Sequence, residues 1–136
     1  MSRRILLGYQ LLIGLSDTST GALLLVAPEL TLRMMRLHVP SDALPYISFI
    51  GAFVFSVGIA CLYGAFVIAS HGGNSKLEVV WLLTTFTRGS VAIFVVAQVL
   101  AGTLESGWVT VAAADGFCVL VQVIGLRQGW AAHVAR

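Results

Sequence analysis

The run Val91-Ala92-Ile93-Phe94-Val95-Val96-Ala97 decides the fold. A strand of a membrane barrel alternates apolar and polar residues with a period of two, whereas this run is apolar on every side. Followed outward, the apolar stretch extends from Leu77 to Ala101, enough for the roughly 20 residues a helix needs to cross about 30 Å of hydrocarbon. Three further stretches pass the same test, Ile5 to Ala27, Leu44 to Ala69 and Gly107 to Leu126. The expected fold is all-α: a transmembrane four-helix bundle, antiparallel, forming a single integral membrane domain over residues 1–136.

Composition points the same way. Of 136 residues, 58% are hydrophobic and 10% charged, and the mean hydropathy is +0.94, which excludes a soluble globular domain and a disordered chain. Eight Lys/Arg against six Asp/Glu are too few and too scattered to form a nucleic-acid footprint, so no nucleic-acid partner is expected. The opening Arg3-Arg4 followed by Ile5 to Leu15 has the outline of a secretory leader. No A-x-A-like site follows, however, and the apolar run resumes at Gly21 to Ala27, so the segment reads as a span.

Two connections are short turns, His71 to Lys76 and Gly102 to Ser106, so the helices they join should be antiparallel neighbours. Arg3, Arg4, Lys76, Arg127 and Arg136 fall on the side of both termini, and Arg33 and Arg36 on the other. That asymmetry places both termini in the cytoplasm. The first connection, Pro28 to Ala43, is long enough to hold structure. Pro28 suits a first helical turn, Arg33 and Arg36 share one face, and Leu30, Met34 and Leu37 take the opposite one. A short interfacial helix between Pro28 and Pro40 is expected, lying in the headgroup layer as a lid, or serving as a substrate-guiding flap or partner-docking surface.

Lipid is as apolar as Leu, so small and polar residues must mark the inward faces. Gln10, Gly14, Asp17 and Gly21 form one stripe on the first helix. Ser48, Gly51, Phe55, Gly58, Leu62 and Ala65 form another on the second, where the glycines, with Gly64, read as packing positions. The third carries Trp81, Thr84, Arg88, Val91, Val95 and Gln98, and the fourth Trp108, Val111, Asp115, Cys118, Gln122 and Gly125. Each has the spacing of a left-handed bundle seam. Glu78, Glu105, Trp81, Trp108 and Trp130 also lie near helix ends, where interfacial anchoring accounts for them.

Asp17, Arg88 and Asp115 lie near the middles of their helices and should share one depth. Three unrelated charges facing lipid would be costly, about 2.5 to 3.5 kcal/mol each, so the expectation is one Arg88 guanidinium bridging both carboxylates. The surplus negative charge then calls for a proton or a bound cationic group. The cluster is either a structural ion site that fixes helix register or a proton-carrying or ligand-anchoring site. Gln10, Gln98 and Gln122 are placed to extend it as a hydrogen-bonded path. No metal and no cofactor is expected. Cys61 and Cys118 stand alone in different helices, His38, His71 and His133 fall in connections or the tail, and no phosphate loop, H-E-x-x-H or G-x-S-x-G occurs. The hydroxyls flanking Asp17, from Ser16 to Thr20, have no embedded base to activate them.

Arg4 to Gly14 opening the first helix, the exit Gly21-Ala22-Leu23-Leu24-Leu25-Val26-Ala27-Pro28-Glu29-Leu30, and Pro45-Tyr46 leading to Ile50-Gly51 with Gly58 a heptad later carry a resemblance to small DoxX-like membrane proteins. It covers the first two helices. The resemblance implies a four-helix bundle and an accessory role in membrane redox or sulfur metabolism; it assigns no catalytic residue here. Two functions are therefore expected to compete. One is an accessory subunit or binding module for a membrane complex, a second copy of itself or an apolar small molecule. The other is an enzyme or proton-coupled carrier acting on a lipid, quinone or sterol-like molecule at Asp17, Arg88 and Asp115.

Overall fold

Helix-favouring apolar runs, broken by Pro and Gly, set the boundaries of five α-helices in a computed structural model that describes residues 2–70 and 74–133. They are α1 (Arg3–Val26), α2 (Pro28–Met34), α3 (Leu44–Ala69), α4 (Asn74–Leu100) and α5 (Val109–Arg127). Short 3-10 turns at Ser41–Ala43 and Ser106–Trp108 lead into α3 and α5, and another follows at Trp130–His133. Among the described residues there is no strand. The four long helices fall where the apolar stretches put them, except that α4 begins three residues early, at Asn74. Of the His71 to Lys76 turn, residues 71–73 lie outside the described residues, and the rest is already helical.

Three helical segments are long and apolar enough to cross a membrane: Ser41–Ala69, Ser75–Leu100 and Ser106–Arg127. This is one fewer than the sequence reading. At 24 residues α1 has the length, about 36 Å at 1.5 Å per residue. Gln10 and the polar run Ser16 to Thr20 lower its apolar content. Large apolar side chains stay exposed on the long helices, among them Leu12, Phe53, Phe86, Ile93 and Phe117. Such an outward-facing apolar surface is what a lipid solvent requires.

The chain divides into two compact units, Arg4–Phe66 and the remainder, Met1–Arg3 with Val67–Arg136. In the first, α1 and α3 run antiparallel along a glycine seam. A Cβ on Gly14 would meet Leu62, one on Gly21 would strike the Phe55 backbone, one on Gly58 the Thr18 backbone, and one on Gly51 the Leu24 side chain. The numbers of facing residues sum to nearly the same value along the seam, as antiparallel helices demand. Glycine is required here because backbone stands against backbone, an approach that yields dispersion contact where no hydrophobic driving force exists. This is the inward face assigned to Gly14, Gly21, Gly51 and Gly58 from their spacing.

The connection after α1 differs from the expected lid. α2 has only seven residues, and its buried face is Thr31 and Leu32, with Leu37 beyond it, each at most 4% exposed. Leu30 and Met34 are exposed, so they do not share a face with Leu37. The reason is the early stop. Arg36 takes a left-handed backbone (φ 58°), its N–H donates to the Arg33 carbonyl and that of Leu37 to the Leu32 carbonyl, turning the chain and driving Leu37 inward. The same stop closes α4 at Gly102 (φ 73°) and α5 at Gly129 (φ 63°). At two helix ends the left-handed residue is glycine; at the third it is arginine, which costs about 1 kcal/mol more.

In the second unit α4 packs antiparallel on α5. Trp81 is fully buried, and its ring occupies the space above Gly125, with Trp130 folded against the same glycine. Trp81 is therefore core, and the interfacial-anchor reading is corrected for it: the bare backbone of Gly125 leaves room for an indole. Val91, assigned to the inward stripe, is 38% exposed. Arg3 closes the C-terminus of α3, its guanidinium donating to the carbonyls of Ile68 (2.7 Å) and Ala69 (3.0 Å). A cation there satisfies terminal carbonyls and opposes the negative end of the helix dipole.

Candidate functional site

The polar residues of α4 and α5 form a ladder with two rungs. The lower rung is Arg88 and Asp115, Nη1 to Oδ1 at 2.6 Å. Arg88 is buried, and the Asp115 side chain keeps 16% exposure. At this length the bond is charge-assisted, and it joins the two helices at their middles. The upper rung lies two turns along α5. Gln122, fully buried, accepts from the Thr85 hydroxyl at 2.9 Å and donates to the Thr84 hydroxyl at 3.0 Å. Thr84 in turn donates to the Val80 carbonyl at 2.8 Å. One amide thus binds two adjacent hydroxyls, and both of its functional ends are engaged.

Each residue singled out from the sequence can now be placed. Arg88 and Asp115 meet, as expected. Gln122 lies on the same face of α5, but its amide is committed to Thr84 and Thr85. Asp17 belongs to the other unit, half-buried on α1 between the seam glycines Gly14 and Gly21. Gln10 is also on α1; fully buried, it donates to the Cys61 carbonyl of α3 at 3.3 Å, so its amide ties those two helices together. Gln98 closes the α4–α5 turn. Its carbonyl accepts from the Thr103 backbone (3.0 Å), and the Thr103 hydroxyl also rests against its Oε1. It sits at the end of α4, where the helix stop recruits it, and there it serves the turn instead of extending a path from Arg88.

Thr85 was missed. It neighbours Thr84 but lies off the stripe that α4 presents at steps of three and four, and only the facing amide of Gln122 reveals its use. Cys61 and Cys118 are free thiols, both buried as small apolar packing. Among the described residues no group of three His, Cys, Asp or Glu gathers to hold a metal. Chemically, the ladder can neutralise a buried charge and fix the register of two helices. The remaining accessibility of Asp115 is its one opening to a further partner.

A second concave feature lies in the first unit, between α2 and the start of α3. It encloses about 580 Å³ and is lined by Arg33, Arg36 and His38 among others. Arg33 also pairs with Glu29 at 3.1 Å across one exposed turn.

No protein-family model, curated protein or solved structure matches this chain.

Proposed function

We propose that the chain is a multi-pass membrane protein acting as an accessory subunit or binding module for a membrane complex or an apolar ligand. Its four long helices form an antiparallel bundle with both termini cytoplasmic. The observation that carries this reading is the one-to-one pairing of Arg88 with Asp115 at 2.6 Å. A buried pair that satisfies itself across two helices is used in pairing them, and needs no substrate to complete it. The exposed apolar sides of the helices then remain as the surfaces for lipid or partner, in keeping with the DoxX-like resemblance of the first two helices. The orientation is supported by five Lys/Arg on the side of the termini against two on the other.

The test replaces the pair by apolar residues of similar size, Arg88→Met with Asp115→Leu, and analyses gently extracted protein by native mass spectrometry. A clasp of structural use predicts that the double variant folds and keeps whatever subunit or lipid the parent protein carries. Loss of that species from a folded double variant refutes the reading.

The accessibility of Asp115 (16%) favours one alternative, an enzyme or proton-coupled carrier acting on a lipid, quinone or sterol-like molecule at Asp17, Arg88 and Asp115. On that reading Asp115→Asn folds normally and loses proton uptake or ligand binding.

A further inference from the structure

The groove beside α2 combines three features. Its mouth carries Arg33, Arg36 and His38, and its floor is apolar, from Leu32, Leu37, Val39 and Leu44. Its lining carries one acid, Glu29, against two arginines, a net positive charge of one with His neutral; Asp42, on the adjoining turn, stands outside the lining. Its volume, about 580 Å³, is in the range of small-molecule sites. The exposed apolar pair Leu30 and Met34 lies on the next face of α2, with Tyr46 exposed at the start of α3. A segment with charge on one side and bare apolar side chains on the other rests at the boundary of headgroups and acyl chains.

The backbone of Arg36 adds a separate observation. It occupies the left-handed stop position that Gly102 and Gly129 fill at the other two helix ends. Glycine would serve the turn better, so what the position gains from arginine is the guanidinium at the groove mouth. A strained cation beside a second arginine, above an apolar floor, matches a phosphate diester carried on an acyl chain.

We infer that the α2–α3 connection is a binding site for the phosphate headgroup of an anionic phospholipid, with Arg36 and Arg33 holding the phosphate and the Leu32–Leu44 floor receiving the first part of the lipid. The lipid as source of the phosphate rests on the membrane reading above; the anion site itself rests on the groove.

The test uses the full chain, purified in neutral detergent and titrated with phosphatidylglycerol, phosphatidylcholine or inorganic phosphate. Thermal melting and lipid adducts in native mass spectra are followed together. Phosphatidylglycerol should raise the melting temperature where phosphatidylcholine and phosphate do not. Arg36→Gly should melt higher than the parent without lipid, because the strain is gone, yet bind phosphatidylglycerol roughly fivefold more weakly, the loss expected for one basic side chain at an anionic surface. Arg36→Lys, which keeps both charge and strain, should bind nearly as the parent does. Arg33→Gln guards against a variant that misfolds, and should lose affinity to a similar degree. Equal affinity of Arg36→Gly and the parent, or no preference for phosphatidylglycerol over phosphatidylcholine, overturns the site; protein that still needs detergent in that case leaves the membrane reading intact. A melting shift reproduced in full by inorganic phosphate overturns the lipid assignment.

Discussion

Consider one methyl group placed at two glycines of α1 and α3. At Gly58 a Cβ would stand 2.8 Å from the Thr18 Cα and nearer still to its nitrogen. At Gly8 nothing lies within 4 Å. To restore an ordinary contact of 3.4 Å at Gly58, α1 and α3 must part by roughly 0.6 Å. A gap of that size forfeits about a quarter of each dispersion well; over on the order of 50 atom pairs at ~0.15 kcal/mol, the loss is about 2 kcal/mol. Both substitutions gain helix propensity, up to about 1 kcal/mol for Gly to Ala. Gly58→Ala should therefore destabilise by about 1 kcal/mol and Gly8→Ala stabilise by up to about 1 kcal/mol, a separation of about 2 kcal/mol in which the propensity term cancels. Denaturation of each purified variant in mixed micelles, followed by far-ultraviolet circular dichroism, measures the difference. If Gly58→Ala is as stable as Gly8→Ala, the seam is not the close backbone contact that the argument requires.

Arg88→Met alone should cost about 3 to 5 kcal/mol by leaving Asp115 buried without its cation, while the double change with Asp115→Leu recovers most of that loss; a double-mutant cycle of detergent stability reads both. Gln122→Leu strands the hydroxyl of Thr85 and should cost roughly 0.6 to 1.7 kcal/mol, the span found for hydrogen bonds between membrane helices; no change on top of Thr85→Val would show that the upper rung contributes nothing. Arg3→Gln removes the cation from the carbonyls of Ile68 and Ala69 and should lower stability by about 0.5 to 1 kcal/mol, less at high salt, whereas Arg4→Gln serves as the control. Arg36→Gly should stabilise by about 1 kcal/mol in the absence of lipid, as measured by the same melts.

Helix positions were legible because nothing but a helix can carry a run such as Val91 to Ala97, and the seam glycines because small residues at heptad spacing have few other uses in lipid. The pairing of Arg88 with Asp115 was legible for the same kind of reason: an intramembrane charge must find its complement. What stayed hidden depends on the facing helix. The burial of Trp81 follows from the missing side chain of Gly125, and the role of Thr85 from the amide of Gln122, neither of which α4 alone displays. The apolar pattern of Pro28 to Pro40 promised a longer helix with Leu30, Met34 and Leu37 together. A left-handed residue at Arg36 breaks that periodicity, and arginine gives no warning of it in the way that glycine at position 102 does.

The two helix pairs hold together by unlike means, and the difference bears on how the chain avoids mistakes while it folds. Between α1 and α3 the match is one of shape, bare backbone against bare backbone, with a repeat that tolerates no slip of a single turn. Between α4 and α5 it is one of chemistry, a cation with an anion and an amide with two hydroxyls. Exchanging partners between the pairs would set Arg88 against glycines that cannot answer its charge, and would bring the bulk of Trp81 onto a seam with no room for it. Each hairpin thus carries a recognition rule that the other cannot satisfy, so correct assortment is written into the kind of contact as well as its strength.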